Sequence, residues 1–312
     1  MTTTAQSTYQ NKHFDDVLGV ITQNEWLKKL SKESEGEPLN ILFTGATGVG
    51  KSSTINSLFD AEVAKVGTTP NPETMFVKKY QIDKLVIWDT PGLGDTPEND
   101  QKYAKAIKDK LTETDSKGNL LIDLVVVILD AGSRNMGTEY QLINNVIIPN
   151  LGENKNRILV ALNKADKAME PEDWNREGNY PEEELVKFLE EQCQSVHQRI
   201  KDATGVNVQP FYYTAGFKRE GQRQRPPYNL GKFFSLILEN VPKKKRLQVI
   251  ANLNHQDARE NLRDNDDNDG LWETIKSLIK PVVEAVVETV IEKAPTIIIK
   301  VAKSLLSMIK FW

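Results

Sequence analysis

Three short stretches carry side chains whose types and spacing could do chemistry on a phosphate ester. The first, Gly45-Ala-Thr-Gly-Val-Gly-Lys51-Ser52, follows the apolar run LNILFT and precedes KSSTINSLF. A glycine-rich turn between a strand and a helix lets backbone N–H groups point inward around phosphate oxygens, with the positive end of the helix dipole behind them. In such a loop Gly45, Thr47, Gly48, Val49 and Gly50 form the cradle, Lys51 neutralises the β and γ phosphates, the Ser52 hydroxyl binds Mg²⁺ and Ser53 reaches the α-phosphate. The second stretch, Asp89-Thr-Pro-Gly92, ends the apolar run LVIW. Alone it is a good turn sequence. After a phosphate loop, Asp89 can hold a Mg²⁺-bound water and Gly92 can offer its N–H to the γ-phosphate.

The third stretch, Asn163-Lys164-Ala-Asp166, follows RILVAL and bears on the base. A carboxylate at Asp166 can accept both the N1–H and the exocyclic amino group of guanine, a donor pair that adenine lacks. The expected ligand is therefore GTP or GDP rather than ATP. Thr214-Ala215-Gly216, after VQPFYY, would supply backbone N–H groups to the guanine carbonyl oxygen.

These residues need a scaffold that brings loop ends together. From Leu39 to about Val241 short apolar runs alternate with longer amphipathic ones, the pattern of strands wound with helices around a parallel sheet. Strands are expected at Ile41 to Thr44, Met75 to Gln81, Leu85 to Trp88, Ile122 to Leu129, Ile158 to Leu162 and Val206 to Tyr213. Helices should start near Lys51, Asn99, Thr138, Glu182 and Leu230. The segmentation predicts an N-terminal helical arm over 1–37, a nucleotide-binding domain over 38–256, an acidic linker over 257–270 and amphipathic helices over 271–312.

Composition excludes several classes. The lone Cys193 cannot form an intramolecular disulfide, and His13, His197 and His255 lie too far apart in sequence for a recognisable metal cluster. A reducing cytosol suits this cysteine usage. The start of the chain lacks the basic-then-apolar pattern of a secretory leader, and no uncharged apolar run is long enough to span a bilayer. A net charge of -4 gives no general pull toward nucleic acid. Two basic clusters, Lys218, Arg219, Arg223 and Arg225, and Lys243 to Arg246, lack interleaved aromatics and read as solvated surface.

Taken in order, the phosphate loop, DTPG, NKAD and TAG resemble the GTPase superclass that includes Era-like ribosome-associated GTPases, septins and immunity-related GTPases. The nearest likeness is to small bacterial Era-like GTPases, and it covers residues 39 to 241. The resemblance implies an α/β P-loop NTPase fold, Rossmann-like, with a mostly parallel sheet, helices on both faces and a helical accessory region from both termini. It also implies a Mg²⁺-dependent GTP/GDP switch with slow hydrolysis. Switch I lies in VGTTPNPETMFVKKY, where Thr74 is the preferred Mg²⁺-closing threonine, with Thr69 and Thr68 as alternatives. Lys51, Thr74 and Gly92 are then the catalytic set, and Ser52, Thr74 and Asp89 the metal set. Leu93 follows DTPG where a Ras-like enzyme carries a water-orienting Gln, and the resemblance implies that another group serves, across a nucleotide-facing homodimer or from a partner. Arg134 could reach such a partner's site, but reads first as a surface arginine.

The last helix, from Thr296 to Trp312, carries lysines and no acids beside a broad apolar face, as helices lying in a membrane interface do. The competing expectation is burial of both C-terminal helices against each other, the N-terminal arm or a second copy. The sequence thus points to a GTP hydrolase of the cytoplasm or of a membrane surface facing it. An assembly module that binds nucleotide with little hydrolysis, or a ribosome-associated GTPase, is the alternative.

Overall fold

The computed structural model describes residues 31, 37–59, 65–67, 77–94, 96–216, 226–253, 274, 277–282 and 284. The expected linker over 257–270 and most of the expected arm and C-terminal helices lie outside them.

Strand β1 (Leu39–Gly45) is buried along all 7 residues, as a strand covered on both faces must be. Its side chains alternate between two cores. Leu39, Ile41 and Phe43 enter one, and Leu42 enters the other. Helix α1 (Lys51–Leu58) follows the glycine loop. Strands β2 (Lys65–Gly67), β3 (Lys78–Ile82) and β4 (Leu85–Asp89) come next, then helix α2 (Pro97–Thr112). Helix α2 starts at Pro97 rather than at Asn99 because Thr96 caps it, accepting from the Asn99 N–H, and Pro97 fits a first turn. Strand β5 (Leu124–Asp130), helix α3 (Gly137–Leu142), strand β6 (Ile158–Asn163), the small strands β7 (Trp174–Asn175) and β8 (Tyr180–Pro181), helix α4 (Glu183–Thr204), strand β9 (Phe211–Tyr212) and helices α5 (Leu230–Asn240) and α6 (Arg246–Ala251) complete the order.

The main sheet has 7 strands in the order β2-β3-β4-β1-β5-β6-β9. All neighbours pair parallel except β2 with β3 and β3 with β4. Because β4 and β5 flank β1, the chain leaves β1 in both directions across the sheet. The crevice at the carboxyl end of β1 is therefore the switch point where doubly wound sheets bind ligands. Helices α1, α5 and α6 cover one face and α2, α3 and α4 the other.

Two expectations about elements change. The strand expected over Val206 to Tyr213 reduces to Phe211–Tyr212, since Pro210 has no N–H to pair and the Val206 N–H turns back to Thr204 Oγ1. The Lys243 to Arg246 cluster is only half surface. Lys245 and Arg246 are buried, and Lys245 Nζ lies 2.8 Å from both Asp123 carboxylate oxygens at the foot of β5. The second cluster, at 218–225, lies outside the described residues.

Described residues on either side of the domain pack onto it. Ser31 is buried and its hydroxyl donates to Gln248 of α6. Ile279, in a helical turn spanning 277–282, is 3 % exposed and belongs to the core that contains α6. Among the described residues no helix is long and apolar enough to cross a membrane.

A cleft of about 560 Å³, lined by Asn40, Val86 and Asp123 among others, opens at the other end of the sheet, where β1, β4 and β5 begin. Three of its lysines pair with its own acids, Lys245 with Asp123 and Lys117 and Lys244 with Glu37, and Lys79 lies over the Trp88 ring.

Candidate functional site

The loop from β1 to α1 is shaped for close approach. Gly50 closes it at φ +94°, and a Cβ there would sit 2.3 Å from the Asn163 side-chain nitrogen. Lys51 opens α1 with its stem buried. Its ammonium donates to the Gly45 and Ala46 carbonyls at 3.1 and 2.9 Å, so it lies across the loop mouth. Burial holds this ammonium below the usual lysine range, and the nearby Asp89 carboxylate partly offsets that. The first turn of α1 carries no acid, which leaves its N–H groups and dipole available to an anion. Ser52 and Ser53 are exposed on that turn.

Asp89 ends β4 beside this loop and is buried. Ser52 Oγ donates to its Oδ2 at 3.3 Å, while Oδ1 is buried without a hydrogen-bond partner. Burial pushes the Asp89 carboxyl up, opposed by the Lys51 charge, the Ser52 hydrogen bond and Lys78 across the strand pair. A hydroxyl and an unsatisfied carboxylate oxygen side by side are hard-cation ligands, and their number suits an ion that keeps waters and phosphate oxygens as its other ligands. The residues present therefore fit Mg²⁺.

The DTPG segment lies directly against the glycine loop. Thr47 donates its N–H to the Leu93 carbonyl at 2.8 Å and its hydroxyl to the Gly92 carbonyl at 3.1 Å. A Cβ on Gly92 would come within 2.3 Å of Thr47 Cα, so only glycine permits this approach. Leu93 is 3 % exposed and packs in the core with Trp88 and Met136. It is a core side chain as well as an unsuitable one for orienting water.

Asn163, at the end of β6, joins the phosphate side to the base side. Its amide donates to the Val49 carbonyl at 2.8 Å, and its Oδ1 accepts from the Ala215 N–H at 3.0 Å. Lys164 takes the left-handed conformation, and its ammonium pairs with Asp130 at 2.6 Å. Thr214 donates its hydroxyl to Asp166 Oδ1 at 2.9 Å, and the Gly216 N–H reaches Thr214 Oγ1 at a long 3.4 Å. The phosphate loop, DTPG, NKAD and TAG thus form one constellation at the carboxyl ends of β1, β4, β6 and β9.

Comparison with known proteins gives the family. The sequence model described as 50S ribosome-binding GTPase matches residues 40–164. The probable GTP-binding protein EngB of Malacoplasma penetrans is 30 % identical over 159 residues, covering 48 % of this chain and 73 % of that protein. The chain belongs to the P-loop GTPases. Other relatives share less. T-cell-specific guanine nucleotide triphosphate-binding protein 2 of Mus musculus is 36 % identical over 88 residues, 26 % of this chain and 21 % of its own length. The uncharacterized protein YfjP of Escherichia coli is 29 % identical over 149 residues, and this chain covers 46 % of it. Among solved structures, Aquifex aeolicus Era bound to GDP·AlF4⁻ is 20 % identical with a TM-score of 0.40, covering 66 % of this chain and 58 % of that one. Toc33 from Arabidopsis thaliana with GDP and Mg²⁺ is 16 % identical with a TM-score of 0.42, covering 74 % and 90 %.

Of the residues named from the sequence, Thr68, Thr69 and Thr74 lie outside the described residues, as do His13 and His255. Arg134 is exposed, in the loop after β5. Four partners escaped the sequence reading: Thr54, Ser57, Tyr213 and Asp130. Asp130 ends β5 as Asp89 ends β4, so a polar residue closing an apolar run was its available signal. Tyr213 is fully buried, and a buried phenol requires a partner.

Proposed function

We propose that this chain binds GTP and GDP with Mg²⁺ at this site, hydrolyses GTP to GDP and phosphate, and works as a molecular switch. The observation that carries the reading is Asn163, whose one side chain bonds both the phosphate loop and the TAG loop. A ligand spanning these two halves must have phosphates at one end and a base at the other. Lys51 would exchange its loop carbonyls for β and γ oxygens. Ser52 and Asp89 would hold Mg²⁺, which would neutralise charge on those oxygens, and Thr74 would join them when switch I closes. Gly92 would present its N–H to the γ-phosphate. At the other end Asp166 would accept from guanine, and the TAG loop would donate to its carbonyl. Ala215 gives its N–H to Asn163 at 3.0 Å, whereas the Gly216 N–H reaches Thr214 Oγ1 only at a long 3.4 Å, so Gly216 is the better placed donor.

In hydrolysis a water oxygen bonds to the γ-phosphorus, the bond to the β–γ bridging oxygen breaks, and the water's protons pass to phosphate and solvent. Leu93 is buried, so the group that orients this water comes from elsewhere, and a second copy of the chain facing the nucleotide is the proposed source. The same observation supports a second reading, an assembly module that holds nucleotide and turns it over little. Phosphate release measured over a wide range of protein concentration separates the two. The switch reading expects turnover per molecule to rise with concentration. A flat, near-zero rate throughout favours the module. A ribosomal or RNA role is less supported, because burial of Lys245 and Arg246 removes half of one basic cluster. A location in the cytoplasm or at a membrane surface, reached through 271–312, accords with this reading.

A further inference from the structure

Both backbone polar groups of Ala215 are held by side chains from other elements. Its N–H goes to Asn163, and its carbonyl accepts from Ser57 Oγ of α1 at 2.7 Å, a buried hydrogen bond. The Ala215 carbonyl and the Gly216 N–H belong to one planar trans peptide and point in opposite directions. Whatever fixes the carbonyl therefore aims the N–H. A second bond runs in parallel. Thr54 Oγ1 lies 2.6 Å from the Tyr213 hydroxyl and 2.8 Å from the Gly50 carbonyl. A threonine hydroxyl has one proton, which goes to the carbonyl, so Tyr213 must be the donor to Thr54. Tyr213, two residues before Ala215, is thereby tied through α1 to the last glycine of the phosphate loop.

We propose that Ser57 is a specificity-positioning residue: by holding the Ala215 carbonyl it aims the Gly216 N–H at the 6-carbonyl of the purine, with Tyr213 and Thr54 bracing the same segment. The helix that presents Lys51 to phosphate also sets the base loop, so one rigid element spaces the two halves of the site. This rests on the reading of the TAG loop as the guanine side.

The test compares three triphosphates by competition binding. GTP and inosine triphosphate carry the 6-carbonyl, whereas 2-aminopurine riboside triphosphate lacks it. Ser57→Ala should weaken GTP and inosine triphosphate by a similar factor, about tenfold, the effect of one lost buried hydrogen bond. The 2-aminopurine nucleotide should be nearly unaffected, so the preference for a 6-carbonyl falls. Ser57→Thr, which keeps the hydroxyl, should restore it. Tyr213→Phe should act in the same direction and carries the test if Ser57→Ala does not fold. Equal loss for all three nucleotides would assign Ser57 a purely structural role and overturn the inference, as would an unchanged preference. Wild-type protein with no preference for guanine over adenine nucleotides would overturn the underlying reading as well, which separates the two failures.

Discussion

Asp166 accepts from the Thr214 hydroxyl through Oδ1, and a carboxylate can accept from more than one donor. If this carboxylate reads the guanine amino group, Asp166→Asn should weaken GTP and favour xanthosine triphosphate, whose carbonyl would accept from the new amide. A shift in preference of at least tenfold is expected from reversing one donor and acceptor pair, read by competition with a fluorescent nucleotide. Retention of the wild-type margin for GTP would remove the role. The phosphate loop and NKAD were legible because each is a short run whose meaning depends on the strand before it. The partners were not legible. Val49 and Asn163 are 114 residues apart, and Ser57 and Ala215 are 158 apart, so only the folded sheet shows that they meet.

At the scale of elements, β4, the loop after it and the core beneath act together. Leu93 looks like a missing glutamine in the sequence, but its side chain fills a core. Leu93→Gln should therefore not create a faster enzyme. It should destabilise the domain by about 2 to 4 kcal/mol through lost burial and a buried amide, measured by denaturant unfolding. A rise in turnover at unchanged stability would contradict this account of Leu93. The foot of β5 makes a parallel case. Lys245→Ala would leave Asp123 nine-tenths buried with its charge unpaired, and a loss of about 3 kcal/mol is expected, softened by the Asn40 N–H that also donates to it. Buried strands β1, β4, β5 and β6 were readable because both faces are apolar. The edge strand β2 was not, because 3 residues at an edge carry almost no pattern, and β9 was read too long, because only its last residues, after Pro210, pair.

Across the whole molecule, residues on either side of the domain pack onto it: Ser31 bonds Gln248 of α6, and Ile279 is buried in the core that includes α6. Ile279→Ala should cost about 2 to 4 kcal/mol in stability, since a core side chain is truncated. An unaltered midpoint of unfolding would mean that the helical turn does not dock in solution. Beyond it, the proposed membrane or self-association of 271–312 should depend on nucleotide. Liposome flotation with a non-hydrolysable GTP analogue, lost when Lys300, Lys303 and Lys310 become Glu, would support a membrane surface. Light scattering that rises with the analogue but without lipid would support a second copy. Identical monomeric, lipid-free behaviour with GDP and the analogue would sink both. All of this depends on what the site at the end of β1 binds. The most direct measurement is calorimetric titration of GTP and ATP, with Mg²⁺, into the full chain and into Lys51→Ala. The account predicts that the full chain binds GTP much more tightly than ATP and that Lys51→Ala loses at least tenfold in GTP affinity, about 1.4 kcal/mol or more. Equal binding of the two nucleotides, or GTP affinity unchanged by the substitution, would contradict it.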